Sequence, residues 1–234
     1  MIDFDLKTFA STNWNSFRDS FTNISKNDKG KSLVESDNLI YNFDKITESL
    51  FDNDAKPTSA DALLCLKNEM VLIEFKSGFH QIITKNNFDK TQCTCDYIKE
   101  KYDKNVYCKD YGKLLLQNQE LKIEELTRSI QLKAIESYIT LDKTIASKCE
   151  STNPIKLTLL VIIDAVETDV MEDIMSDAAG PAHSQPSTQK SNHISRLKQS
   201  LSRFVIKGNY PVYYDCILVH GSKNFPNQYL KSTL

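Results

Sequence analysis

Asp61-Ala62-Leu63-Leu64-Cys65-Leu66-Lys67-Asn68-Glu69-Met70-Val71-Leu72-Ile73-Glu74-Phe75-Lys76 reads as two apolar strands joined by a polar turn, with an acid heading the first and two charges inside the second. Side chains alternate along a strand, so Val71, Ile73 and Phe75 take one face and Leu72, Glu74 and Lys76 the other. A two-residue loop at Lys67-Asn68 pairs Leu66 with Glu69, Cys65 with Met70 and Leu63 with Leu72, which sets Asp61 opposite Glu74. Cross-strand partners share a face with Cβ atoms roughly 5 Å apart, a spacing that suits two carboxylates gripping one divalent cation. A longer loop needs a compensating bulge to keep the acids together. The competing reading is an edge hairpin whose charges merely face water. Against it, Leu63, Cys65 and Leu72 on the same face are apolar, and a solvated face is polar.

Pro57-Thr58-Ser59-Ala60-Asp61, followed thirteen residues after the Asp by Glu74-Phe75-Lys76 and then Ser77-Gly78, resembles the PD-(D/E)xK nuclease superfamily. The resemblance covers residues 57–78, and its Pro precedes the Asp by four positions instead of one. The acid-x-Lys tripeptide alone says little, because it also occurs at Asp5 to Lys7, Asp54 to Lys56 and Glu120 to Lys122. Only Glu74 to Lys76 sits in an apolar strand with a second acid heading the strand before. The resemblance implies catalytic magnesium, replaceable by manganese, on Asp61, Glu74 and the Phe75 backbone carbonyl, with Lys76 acting on the attacking water. It also implies an α/β fold: a mixed central β-sheet flanked by helices, with an αβββαβ restriction-endonuclease-like core. We expect a single domain over 1–234, with the core at about 38–164, an insertion at about 85–112 and a basic C-terminal extension at about 165–234.

Composition agrees with a globular chain: 40% hydrophobic and 26% charged residues, in a length that can hold one sizeable core. No run of about 18 apolar residues offers a spanning helix, and Met1-Ile2-Asp3-Phe4-Asp5 carries acids where a secretory signal has positive charge. The expectation is a cytoplasmic protein away from membranes. Cys65, Cys93, Cys95, Cys108, Cys149 and Cys216 are too scattered for a disulfide framework. A zinc site from Cys93, Cys95, Cys108 and His80 fits poorly, since paired ligands are usually two to four residues apart and this pair is separated by one.

Net charge is −2, which gives no global argument for a polyanionic partner. Its distribution says more. Residues 1–60 hold ten acids against seven Lys and Arg, whereas Ala178 to Tyr214 contains no acid and carries Lys190, Arg196, Lys198, Arg203 and Lys207. Such a stretch is either a phosphate-contacting surface or a solvated helix face.

Along the chain, Trp14, Phe17, Phe21 and Ile24 predict an amphipathic helix over 12–25. Leu39 to Phe51 reads as a helix throughout, or as a short strand followed by a helix from Asp44. In the second case Glu48 is the first candidate for the extra metal ligand that the resembled family often draws from a helix, and Asp44 the second. His80 to Thr84 is expected to extend the sheet. Residues 119–148 give the strongest helix, with Ile123, Leu126, Ile130, Ala134, Tyr138, Leu141 and Ile145 as a stripe that Leu132, Ile135 and Ile139 widen. Its polar flank offers Lys133 and Gln131 toward the site. Leu157 to Ile163 reads as a parallel crossover strand buried on both faces. Ala178 to Asn192 reads as a loop, His193 to Phe204 as a short basic helix and Val212 to Val219 as the last strand.

The functional expectation is a metal-dependent nuclease acting on nucleic acid, DNA before RNA, with Lys133, Arg196, Lys198 and Arg203 as nucleic-acid contacts. A homodimer or a protein partner would supply specificity. The alternative is a catalytically inactive nuclease-fold protein that binds nucleic acid or a protein.

Overall fold

The computed structural model describes residues 6–51, 56–84, 109–146, 155–164, 193–202, 204 and 213–231. Cys93, Cys95, Cys108, Arg203, the loop expected over 178–192 and most of the insertion expected over 85–112 lie outside them. The described chain is α/β, with an open, mixed six-stranded sheet flanked by helices.

Helix α1 (Leu6–Trp14) buries Leu6, Ala10 and Trp14 at helical spacing. The chain then makes a 3-10 turn over Asn15–Phe17, edge strand β1 (Arg18–Ser20) and a short helix α2 (Phe21–Ile24). The expected single helix over 12–25 is therefore wrong. Trp14 packs into the core on one face of the sheet and Phe21 into the core on the other, and one straight helix cannot serve both. Ser20 ends the strand and starts α2, its Oγ accepting the Asn23 N–H at 3.2 Å.

Strand β2 (Leu39–Asn42) leads directly into helix α3 (Phe43–Leu50), so the strand-then-helix alternative holds. Asn42 is the hinge: its Oδ1 accepts the Lys45 N–H at 3.0 Å, capping the helix. Strands β3 (Ala62–Cys65) and β4 (Glu69–Lys76) form the hairpin, with Leu66 N–H on Glu69 O at 2.8 Å. The register is Leu63↔Leu72 and Cys65↔Met70, as a Lys67-Asn68 loop requires.

After β4, Gly78 adopts φ +91°, and Phe79–Thr84 forms helix α4 instead of extending the sheet. Asp164 explains the change. Its carboxylate accepts the Gly78 N–H at 2.7 Å and the His80 N–H at 2.9 Å, which satisfies amides that a helix start leaves unpaired.

Helix α5 (Lys109–Leu141) begins ten residues before the expected 119 and ends in a π-turn over Asp142–Ala146, so residues 109–112 belong to the helix and not to an insertion. Ile123, Thr127, Ile130, Ala134, Ser137 and Leu141 face the sheet. Leu132 and Ile139 do not widen that stripe: they are 49% and 45% exposed. The seam steps by four and three, so positions 132 and 139 fall on the far side.

Strand β5 (Lys156–Ile163) returns parallel to β4, and β6 (Cys216–Gly221) lies parallel to β5. Helix α6 (His193–Ser202) packs Leu197 and Leu201 on the α5 side, and α7 (Asn227–Lys231) places Tyr229 against the other face. Strands β1 to β4 are antiparallel in chain order. No helix among the described residues is long and apolar enough to cross a membrane.

Leu72 is fully buried at the centre of the α5-side core. Leu72→Ala should cost about 2–5 kcal/mol in chemical denaturation. Leu132→Ala should stay within about 0.5 kcal/mol of the parent, and a loss of core size there would contradict its outward placement.

Candidate functional site

Glu74 is the one charged side chain among the buried polar residues of the described chain, at 1% exposure. It sits on the β4 face that Leu72 and Met70 bury against α5. A carboxylate there loses its water and needs charge nearby. Two lysines respond. Lys133, reaching down from α5, lies 2.9 Å from Glu74 Oε1 and donates to Oε2 at 3.1 Å. The same ammonium contacts Asp61 Oδ1 at 3.0 Å. Lys76, two residues along the strand, lies 2.9 Å from Glu74 Oε1 and donates to Ser129 Oγ of α5 at 3.4 Å.

Asp61 stands one step before β3, where the register carries it opposite Glu74. Its Oδ2 accepts the Phe75 N–H at 2.7 Å, and this bond turns Oδ1 toward Lys133. The N–H and C=O of one strand residue point to the same side, so the Phe75 carbonyl faces the Asp61 edge as well. Lys76 confirms the alternation, since its carbonyl points the other way and accepts the Asp164 N–H at 3.2 Å.

The segment before Asp61 is fastened to both neighbouring helices. From α5, Glu136 accepts the Thr58 N–H and hydroxyl, and Ser137 Oγ accepts the Ala60 N–H at 2.7 Å. From α3, Asp44 accepts the Ser59 hydroxyl, while Lys56 lies 3.5 Å from Asp44 and 2.7 Å from Glu48. Asp44, Glu48 and Asp61 then line one shallow cleft of about 210 Å³ with Ile24, Asn42 and Lys45.

Burial, with the Asp61 charge beside it, pushes the Glu74 carboxyl up to about 7, although Lys133 and Lys76 pull against this. For Lys133, burial disfavours the charge, but Glu74 and Asp61 outweigh it and hold the ammonium above its ordinary range. Lys133 therefore stays charged across neutral pH, where the Glu74 carboxyl titrates.

The structure thus brings Asp61, Glu74, Lys76 and Lys133 together. Lys133 does point into the site, as expected of the polar flank of its helix, and its ammonium spans the two acids. Gln131 is turned away from the site and donates to Ser200 Oγ at 2.7 Å, tying α5 to α6. Glu48 shares the cleft with Asp61 and pairs with Lys56. Lys198 is exposed on α6 and, second to burial, helps hold the His220 imidazole below its ordinary pKa on β6, which lies two strands from β4 in the sheet order. Arg196 falls on α6 as well. Glu136 lies on the polar flank read from the sequence, but Ser129 and Ser137 were not singled out. Their spacing from Lys133 on the same helix is the signal that could have found them.

Donor chemistry decides whether a divalent cation fits. Two carboxylates aim at one point, already occupied by a positive nitrogen. Glu74 Oε1 is buried between two ammonium groups without a hydrogen bond of good direction, so charge alone satisfies it. Among the described residues no group of three or more His, Cys, Asp or Glu side chains is arranged to hold a metal. Two carboxylates with a carbonyl nevertheless suit magnesium, which usually keeps several waters and takes the rest from substrate phosphate. The residues fit such an ion provided Lys133 moves.

No protein-family model, curated protein or solved structure matches the chain.

A carboxyl raised in the folded state from its ordinary 4.5 to about 7 binds its proton more tightly when folded. That stability is fully present below about pH 4.5 and is lost as pH rises through about 7. Urea denaturation of the parent and Glu74→Gln across this window should show the parent losing stability relative to the variant. Parallel pH curves would rule out Glu74 as the titrating group.

Proposed function

We propose that this chain is a magnesium-dependent nuclease on a restriction-endonuclease-like core, hydrolysing phosphodiester bonds of nucleic acid, DNA first. The observation that carries the reading is the convergence of Asp61 and Glu74 on one cation position from paired places in the hairpin, with Lys76 on the same face. The order of antiparallel β2, β3 and β4, then helix α5 and parallel β5, supports the core.

Asp61, Glu74 and the Phe75 carbonyl would hold the ion, and Asp61 is kept in place by the Phe75 amide and by the clamp on residues 58–60. Bound there, magnesium supplies a water of lowered pKa and positive charge for the phosphoryl oxygens. Lys76 orients the attacking water and donates to the phosphate as charge builds on it. The apolar floor of Leu63 and Leu72 limits water at the base of the site and strengthens each of these interactions.

A second reading rests on Lys133. Its ammonium neutralises both acids without any metal, as it would in a nuclease-fold protein that binds nucleic acid and does not cut it.

Incubation with supercoiled, linear and single-stranded DNA and with RNA, in magnesium or manganese, separates the two readings. The nuclease reading expects cleavage abolished by EDTA and lowered by at least about two orders of magnitude in each of Asp61→Asn, Glu74→Gln and Lys76→Gln. Binding without cleavage in any metal would favour the second reading.

A further inference from the structure

We propose that Lys133 is a built-in competitor for the divalent cation, so that its ammonium must leave the acid pair before metal can bind both carboxylates. The inference rests on the nuclease reading of the site and adds how the site is regulated. The geometry leaves little choice. Lys133 Nζ is 3.0 Å from Asp61 Oδ1 and 2.9 Å from Glu74 Oε1, so it sits where an ion bridging these oxygens would sit. An ammonium and a divalent cation cannot share that point, for steric reasons and because like charges at such range repel strongly in a partly buried site.

Lys76 is placed differently. Of the two acids it pairs with Glu74, and its second partner is Ser129 on α5. Removing either lysine deletes one positive charge near Glu74, but only removal of Lys133 clears the bridging position. Lys133 can also move without unfolding anything: it is a long, flexible side chain that is 23% exposed, whereas Glu74 is 1% exposed. Metal occupancy is therefore a displacement equilibrium, and the free protein binds divalent cations more weakly than its two carboxylates alone would.

The test is manganese binding to the full chain, followed by electron paramagnetic resonance of free manganese, in the parent, Lys133→Gln and Lys76→Gln. Lys133→Gln should bind at least about ten-fold more tightly than the parent and clearly more tightly than Lys76→Gln, a gain in the usual range for coupled sites. Equal gains in the two variants would mean that charge matters and position does not, overturning the competition while leaving the nuclease reading intact. Unchanged or weaker binding in Lys133→Gln would also overturn it. Absence of binding in all three proteins, Lys133→Gln included, would remove the metal site itself and the nuclease reading with it.

A measurement on the unmutated protein covers the case in which Lys133→Gln fails to fold. Acetylation of Lys133, mapped by mass spectrometry, should rise when manganese is added, because the displaced amine turns to solvent. Manganese bound with no change at Lys133 would refute the displacement.

Discussion

A carboxylate in the middle of a sheet face that is otherwise hydrocarbon organises much of this molecule. Losing the hydration of Glu74 costs several kcal/mol, and that cost is tolerable only if positive charge is delivered to it. Strand β4 can deliver one lysine itself, because Lys76 shares the face. The second has to come from the layer above, which constrains where α5 lies along the sheet and which of its flanks faces down. Lys133, Ser129, Glu136 and Ser137 all occupy that flank, and each meets the hairpin or the segment leading into it. The helix is at once a cover for the core and a frame for the acids.

The clamp on residues 58–60 follows from the same constraint. Asp61 lies beyond the last ladder pair of β3, where its carbonyl still accepts the Phe43 N–H at 3.1 Å. Upstream of it, backbone bonds from Thr58 and Ala60 to α5, and the Ser59 hydroxyl on Asp44 of α3, hold the approach to the strand. Asp61 then reaches the Phe75 amide and Lys133 together. An acid on an untethered loop would lose side-chain and backbone entropy with every such contact. Here the neighbouring helices have already restricted it.

Much of this was legible in the chain, and the misreadings have physical causes. The hairpin register followed from the Lys67-Asn68 turn and from strict alternation, so the Asp61–Glu74 pairing could be derived. The crossover strand at Leu157 to Ile163 was plain because seven near-continuous apolar residues have few other uses. The helix expected over 12–25 failed because aromatic spacing cannot say that Trp14 and Phe21 belong to opposite faces of the sheet. The strand expected at His80 to Thr84 failed because Asp164, eighty-four residues on from His80, supplies the acceptor that starts a helix there. Leu132 and Ile139 looked like core because a broad apolar helix was assumed to be buried across its whole width.

By itself the sequence determined the local periods: which residues share a strand face, which turn closes the hairpin, and therefore that Asp61, Glu74 and Lys76 project together. Those relations depend on bonds and on spacings of a few residues. Only the tertiary structure decided that Lys133 stands between the acids, that Glu136 and Ser137 anchor the approach to Asp61, and that Glu74 is fully enclosed. These contacts join residues 59 to 78 positions apart. They exist because β4 and β5 are parallel, which brings the connecting helix back across the face that carries the charges.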